Sequence, residues 1–392
     1  MLTQIDWTQT PIDLASLIGK SELLVHEKMA FLVYHADVLH HYEPVLRQFR
    51  PEEVDLVLHA KHGCEEQLFE RVAQLPYHWV LSKDLLASLT SYRYLVSTNY
   101  LDDHELILSL ENGQQSIHRH MLISLLGHYN IRFMYCLGID GWNLEAWNHI
   151  YDAFLCFGEF QARQLSRFPG KKFLMGYPRY DAFFNQSFDR APWLRRLGCD
   201  PDKPIVVWLS TLKMGSGVLD LFALAVSQLS CNYNVLVKPH PLSWPMEPNY
   251  LSALNGLNFC AVLQDIDNLI LFQLADFVIT DYGGTAYSAL YTDCNLLLLD
   301  HPEFTGQATE DPLASETDAW LRRHIIHIEP KEADRLPDLL ADQAYWQAQK
   351  QKRAELRSFF FASYYGNSAQ IAADLLKQMP QLLVSKTAQK WD

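Results

Sequence analysis

Two strand-like runs in the second half of the chain end abruptly in residues able to handle phosphate. Val235-Leu236-Val237 leads into Lys238-Pro239-His240-Pro241, and Phe277-Val278-Ile279 leads into Thr280-Asp281-Tyr282-Gly283-Gly284-Thr285. Each is an apolar run long enough for a buried strand, followed at once by polar and backbone-permissive residues. In open parallel sheets, ligands sit just past the carboxyl ends of strands, so two such ends imply one shared site. Gly283-Gly284-Thr285 reads as a tight turn opening a helix, where free amides and the positive end of the helix dipole suit an anion. Lys238 and His240 add positive charge or hydrogen-bond donors from the neighbouring strand. The chemistry these residue types support is the binding of a phosphate-bearing nucleotide.

The elements that must hold such a site are legible as apolar runs alternating with helical stretches. Met29–Tyr34, Val54–Leu58, His78–Leu81, Tyr94–Ser97, Arg132–Leu137, Ala153–Phe157 and Lys172–Met175 serve the first half. Ile205–Leu209, Asn234–Val237, Phe259–Leu263, Phe277–Thr280 and Asn295–Asp300 serve the second. This alternation predicts parallel sheets in an α/β protein, with two Rossmann-like halves facing a cleft. A length of 392 residues suits two domains. The expected division is an acceptor-side domain over 1–186, a polar, proline-bearing linker over 187–203, a nucleotide-binding domain over 204–355 and a helical tail over 356–392. In that tail, Asn367-Ser368 is a plausible cap for a helix over Ala369–Lys377.

Composition narrows the function classes. A net charge of −14 argues against a general nucleic-acid binder, which needs a basic surface; a local field can still hold a small anion. The seven cysteines are scattered without a CxxC pair and read as buried free thiols in a reducing cytosol. The start of the chain, Met1-Leu2-Thr3-Gln4-Ile5-Asp6-Trp7, lacks the pattern of a secretion signal. No apolar stretch approaches the roughly 20 residues that span a bilayer. A cytoplasmic protein is expected.

Four segments in order resemble the CDP-glycerol glycerophosphotransferase family, enzymes of teichoic-acid-type polymer synthesis with the GT-B fold. They are Met175-Gly176-Tyr177-Pro178-Arg179-Tyr180-Asp181, the strand and turn Val207–Thr211, Lys238-Pro239-His240-Pro241, and Ile279-Thr280-Asp281-Tyr282. The resemblance implies an α/β GT-B fold of two Rossmann-like domains with C-terminal helices. It also implies CDP-glycerol or another cytidine-nucleotide donor as substrate and a glycan or lipid-linked acceptor. Nucleotide or phosphate contacts then fall to Lys238, His240, Thr280, Asp281, Gly283, Gly284, Thr285, Thr211 and Arg179, with His240 also serving catalysis. Two departures stand out. Gly283-Gly284 replaces the family's Ser-Ser, as in the UDP-N-acetylglucosamine 2-epimerases. The family's Trp-His-Gly histidine, its proposed base, is replaced by Leu137. Asp140, in Ile139-Asp140-Gly141, resembles the acidic motif of bacterial GT-B sialyltransferases and becomes the expected base.

The expected reaction is attack of an acceptor hydroxyl on the β-phosphorus of CDP-glycerol, expelling CMP. A CMP-sugar or other nucleotide-sugar glycosyltransferase is the nearest competitor, and a catalytically degenerate scaffold is the alternative from another class. Asp102-Asp103 reads as a turn rather than a metal-binding pair, so no metal and no cofactor are expected. His35, His40 and His41 read as solvated helix-start histidines; His118 and His120 are reserve candidates for the base. Arg163, Arg167, Lys171 and Lys172 form a basic cluster suited either to solvent or to an anionic membrane surface at the inner face of the cell membrane.

Overall fold

The computed structural model describes residues 24–383 except 61–64, 101–106, 110–114, 118–121, 213–216 and 305. The amino-terminal stretch, Asp102-Asp103, His118 and His120 lie outside the described residues. The chain divides into two compact units: residues 1–135, 145–181 and 362–392 form the first, and residues 136–144 and 182–361 the second.

The first unit is built on a seven-stranded sheet. Its strands are β1 (Leu24–Val33), β2 (Val54–Leu58), β3 (His78–Leu81), β4 (Thr90–Ser97), β7 (Gly127–Phe133), β8 (Ala153–Cys156) and β9 (Lys171–Leu174), in the order β3-β2-β1-β4-β7-β8-β9. Every neighbouring pair is parallel. A short antiparallel hairpin, β5 (Ile107–Ser109) and β6 (Gln115–Ile117), stands apart from that sheet. Helix α1 (Ala36–Leu46) follows β1. It starts at His35, whose ring Nδ1 accepts the Asp37 amide at 3.2 Å.

The second unit carries a six-stranded parallel sheet. It comprises β10 (Ile205–Leu209), β11 (Asn234–Lys238), β12 (Ala261–Val262), β13 (Phe277–Thr280), β14 (Asn295–Leu299) and β15 (His327–Ile328), in the order β12-β11-β10-β13-β14-β15. Helices α2 (Arg190–Leu197), α3 (Val218–Gln228), α4 (Gly284–Tyr291), α5 (Thr317–Arg322) and α6 (Gln343–Phe360) belong to this unit. Every residue of β10 and β11 is buried, as expected for strands covered on both faces, which read as continuous apolar runs. Val206, Trp208, Val235, Val237 and Ile279 pack with Leu219, Phe222 and Val226 of α3 and with Trp346 of α6 in one core. Each such aliphatic or aromatic side chain contributes about 1.5–3 kcal/mol by leaving water.

The structure draws three divisions differently from the sequence. The stretch read as a linker contains α2, capped by Asp189, which accepts the Ala191 amide at 3.0 Å. Pro192 falls in its first turn, where a missing N–H does no harm. Residues 136–144, including Asp140, group with the second unit rather than the acceptor-side domain. The tail from residue 362 groups with the first unit. There, helix α7 (Ser368–Leu383) takes its cap from Asp181, whose carboxylate accepts the Ser368 and Ala369 amides at 3.1 and 2.6 Å.

Candidate functional site

The register of the second sheet brings the strand ends level. Leu209 pairs with Lys238 on one side and with Thr280 on the other, and Thr280 pairs with Leu298. Chain order reverses between β10 and β13, so the crevice between them is the switch point of this sheet. Ser210-Thr211, Lys238–His240 and Asp281–Gly283 leave the sheet there together. The spatial convergence inferred from the motifs is therefore real.

Lys238 is buried, and its ammonium donates to Asn268 Oδ1 at 2.8 Å. Asn268 opens a helix whose cap is Asp267, accepting the Leu269 amide at 2.8 Å. His240 is half-buried, and its Nδ1 accepts the Leu242 amide at 3.2 Å. That bond places the proton of the neutral ring on Nε2, leaving His240 as a donor on its far side.

Thr211 and Asp281 bind one another. The Asp281 carboxylate accepts the Thr211 amide at 3.0 and 3.2 Å and the Thr211 hydroxyl at 2.8 Å. Asp281 is 1% exposed, and burial pushes its carboxyl up to about 6 against the opposing pull of the Thr211 bonds. The Thr280 hydroxyl is fully buried and donates to the Leu209 carbonyl at 2.7 Å. These three residues thus stitch the ends of β10 and β13 together and shape the crevice from behind. Thr285 is half-buried in the first turn of α4.

The Gly283 amide, expected to be free for phosphate, donates to Asp318 Oδ2 at 3.2 Å. The same oxygen faces the Ile139 amide at 3.4 Å. An internal carboxylate therefore sits where an external anion was expected. Asp318 is buried, which raises its pKa despite the nearby Arg322 charge. The glycines have a matching explanation. A Cβ on Gly284 would lie 2.7 Å from Cys136 Cβ, and one on Gly283, where φ is +76°, would meet Ile139 at 3.0 Å. Gly283-Gly284 makes room for the 136–140 segment, which two serines would obstruct. Ile139 is itself left-handed at φ +52°, an unfavourable conformation for a β-branched residue, and it is 45% exposed.

Asp140 lies in this segment and caps α5. Its carboxylate accepts the Thr317 amide at 2.7 Å and the Thr317 hydroxyl at 2.8 Å. Burial raises the Asp140 pKa, the Thr317 bonds oppose it, and the neighbouring Asp318 and Glu316 charges push the same way as burial. The group is partly exposed, oriented and more basic than an ordinary aspartate.

Arg322, which the motifs did not single out, ties the ends of β13 and β14 together. Its guanidinium donates to Asp300 Oδ1 at 2.7 Å, to the Asp281 carbonyl at 2.7 Å and to the Leu299 carbonyl at 3.2 Å, and it stacks 3.8 Å over the Tyr282 ring. Burial would raise the Asp300 pKa, but the His327 and Arg322 bonds hold it below the usual range. The sequence signal was available in Asp318-Ala319-Trp320-Leu321-Arg322, an acid and a base one turn apart on a short helix.

The remaining candidates lie in the first unit. Arg179 Nη1 is 3.0 Å from His41 Nε2. His35 and His41 are buried rather than solvated, because one caps α1 and the other packs beside Tyr135 and Tyr177. Of the basic cluster, Lys172 donates to the Phe168 and Gly170 carbonyls and Lys171 to the Leu382 carbonyl at 2.5 Å. The thiols divide: Cys231 is exposed and Cys260 half-buried, while Cys136, Cys156, Cys199 and Cys294 are buried as expected. Among the described residues, no three His, Cys, Asp or Glu side chains gather as a metal-ligand set, and no helix is long and apolar enough to cross a membrane.

Residues 159–297 match the family described as CDP-Glycerol:Poly(glycerophosphate) glycerophosphotransferase. All four resembling segments fall inside that span, so the resemblance read from them is borne out. No curated protein matches the chain. Among solved structures, a variant of the wall teichoic acid polymerase TagF is 15% identical, with a TM-score of 0.61, covering 94% of this chain and 93% of that one. A putative UDP-N-acetylglucosamine 2-epimerase from Listeria monocytogenes is 13% identical, with a TM-score of 0.55 and coverages of 91% and 97%. The UDP-GlcNAc 2-epimerase from Neisseria meningitidis, bound to UDP-GlcNAc, is 12% identical with a TM-score of 0.54 and coverages of 89% and 100%. The fold is that of the GT-B enzymes: α/β, with two parallel sheets and flanking helices.

Proposed function

We propose that the chain is a transferase that moves glycerophosphate from CDP-glycerol to an acceptor hydroxyl of a cell-surface glycan or its lipid-linked precursor. The observation that carries this reading is the level row of strand ends bearing Lys238, His240 and Asp281 inside the segment that matches the glycerophosphotransferase family. Lys238 places its positive charge beside the pyrophosphate of the donor, and the Nε2–H of His240 donates a hydrogen bond to it. The acceptor oxygen forms a bond to the β-phosphorus, the bond from that phosphorus to the CMP oxygen breaks, and CMP leaves with the electron pair. Charge grows on the phosphoryl and departing oxygens, so fixed donors carry most of the catalysis. Asp140 takes the acceptor proton, its basicity raised by burial and its orientation fixed by Thr317.

The test is direct. Purified protein is incubated with CDP-glycerol and a hydroxyl acceptor, and CMP release is followed. CDP or CMP at a hundredfold excess over its dissociation constant should stabilise the fold by about 2.7 kcal/mol, visible as a raised melting temperature. Stabilisation by UDP-sugars with none by cytidine nucleotides would discard the donor assignment. That outcome would favour a nucleotide-sugar glycosyltransferase or an epimerase, the latter sharing Gly283-Gly284.

A lipid-linked acceptor implies peripheral attachment at the inner face of the cell membrane. Basic residues near anionic lipid gain about 1 kcal/mol each, and Arg163 and Arg167 are the members of the cluster left for this. Flotation with anionic liposomes at low salt, and release at high salt, is the expected behaviour; recovery in the soluble fraction at every salt concentration would point to a soluble acceptor.

A further inference from the structure

We propose that Cys199 and Cys260 form a redox-modification site, a dithiol that closes to a disulfide by exchange with a small-molecule disulfide such as oxidised glutathione. The two sulfurs lie 3.5 Å apart, although the residues are separated by 61 positions in the chain. Both belong to the second unit, and each is held by its own backbone. Gly198 closes α2 in the left-handed conformation, and the Cys199 amide returns to the Leu194 carbonyl at 2.9 Å. The Cys260 amide donates to the Val235 carbonyl of β11 at 2.9 Å, fixing Cys260 at the edge of the sheet just before β12. The Cys260 thiol also points at the Leu197 carbonyl, 3.4 Å away. A disulfide requires sulfurs about 2.05 Å apart, so closure brings these two together by about 1.5 Å.

The chemistry has a defined order. Cys260 is half-buried and Cys199 is buried, so Cys260 meets the oxidant. Its thiolate attacks one sulfur of glutathione disulfide, forming a mixed disulfide and releasing one glutathione thiolate. The Cys199 thiolate then attacks the Cys260 sulfur, closing the protein disulfide and releasing the second glutathione. Two electrons pass from the protein dithiol to glutathione disulfide, and the two thiol protons end on the two glutathione molecules near neutral pH. Burial, chiefly, pushes the Cys199 thiol up, and its lower accessibility makes it the resolving rather than the attacking thiol, so the mixed disulfide forms on Cys260 first.

Closure ties the segment entering β10 to the sheet edge beside β11. The loop it completes contains β10, α3 and β11, and with them Thr211, Lys238 and His240. Cross-linking a loop of this size restricts the unfolded chain and raises the melting temperature. Cys231 lies in the same loop but is exposed to solvent, which makes it the internal control.

The test uses the full reduced chain equilibrated with mixtures of reduced and oxidised glutathione. Thiols are titrated after denaturation, and unreduced peptides are mapped by mass spectrometry. The expected result is a single cross-linked peptide joining Cys199 to Cys260, formed after a transient glutathione adduct on Cys260, together with a higher melting temperature. Cys199→Ser should retain the adduct on Cys260 without a bridge, and Cys260→Ser should form neither. Both variants should lose the oxidation-dependent rise in melting temperature while keeping the reduced one. A wild-type protein that holds a stable adduct on Cys260, or reacts at Cys231 with the pair still reduced, would overturn the proposal.

Discussion

The two parallel sheets reverse their strand order in the same way, yet their switch points carry different chemistry. In the first unit the reversal lies between β1 and β4, and the strand ends are joined by hydroxyls. Thr98 Oγ1 donates to the Tyr34 hydroxyl at 3.2 Å, and Ser97 Oγ lies 2.9 Å from the Tyr151 hydroxyl. In the second unit the reversal lies between β10 and β13, flanked by Lys238, His240, Asp281 and, across the Gly283 turn, Asp318. Topology supplies a crevice in both places; the second is flanked by a lysine, a histidine and carboxylates raised by burial. Perturbed carboxylates gathered at a strand-end crevice are a mark of functional sites. The comparison also separates roles within the second crevice. The β11 side carries a cation and an imidazole, Lys238 bonded to Asn268 and His240 to the Leu242 amide, whereas the β13 side is built on carboxylates, Asp281 bonded to Thr211 and Asp318 to Gly283.

The largest expected effect tests whether the charged crevice performs chemistry. Asp140→Asn retains size and capping ability, since Asn is as good a cap as Asp, but removes the proton acceptor. Turnover measured as CMP release should fall by about 10²–10⁴-fold with nucleotide affinity near the parent. Turnover within a few-fold of the parent would reduce Asp140 to the helix cap that its Thr317 bonds describe.

Next in size, the cationic β11 side of the crevice should be worth more to a nucleotide than the carboxylate-bearing β13 side. Lys238→Ala and His240→Ala each remove a charged or strongly polarised hydrogen bond of about 1.5–3 kcal/mol. Calorimetry with CDP-glycerol should record a tenfold to hundredfold weaker affinity for each. Unchanged affinity in both variants would transfer the nucleotide site elsewhere.

The carboxylate-bearing side predicts a pH effect on stability. The Asp281 carboxyl is raised to about 6 in the folded protein, against an ordinary value near 4. Above pH 6 the carboxyl is ionised in both states, and the folded state carries the burden of the buried charge. Between about pH 6 and 4 the folded state holds the proton while the unfolded state has lost it, so folding is favoured as pH falls. The ceiling is about 3 kcal/mol, from roughly two units at 1.36 kcal/mol each. Asp281→Asn should flatten the rise in melting temperature between pH 7 and 5 relative to the parent. Identical pH profiles for the two proteins would mean that Asp281 titrates as an ordinary carboxylate.

Much of this contrast was legible in the sequence. The boundaries of β2, β3, β10 and β13 agree with the apolar runs to the residue, because these short parallel strands end abruptly where polar residues begin. The runs failed where there was no period to read. The three-residue strands of the β5–β6 hairpin and the two-residue β15 went unseen, and β7 ends at Phe133, before the glycine-bearing turn that was read as its continuation. That the strand ends at Lys238 and Thr280 share one site followed from motif and strand logic, while the register that sets Leu209 level between them came from the structure. What could not be read was the occupant of the Gly283 amide. Asp318 reaches Gly283 across 35 residues and Ile139 across 179, and no local pattern encodes a bond of that separation. Likewise Asp181, read within a phosphate-site segment, caps a helix 187 residues later.

Asp318 gives the finest test of the two sides of the crevice. Its carboxylate sits at the start of α4, on the Gly283 amide that an incoming phosphate would otherwise meet. A negative charge there repels the donor pyrophosphate while holding the turn in shape. Asp318→Asn separates those effects, because the amide oxygen still accepts from Gly283 and Ile139 but the charge is gone. Removing a like charge beside a phosphate in a partly solvated crevice is worth on the order of 1 kcal/mol. Affinity for CMP or CDP-glycerol should therefore rise about fivefold, with the melting temperature close to the parent's. A fall in affinity with the fold intact would show that the ionised carboxylate is needed to position Gly283. The β13 side would then serve the nucleotide through its geometry, with the charge of Asp318 part of that geometry rather than an obstacle to it.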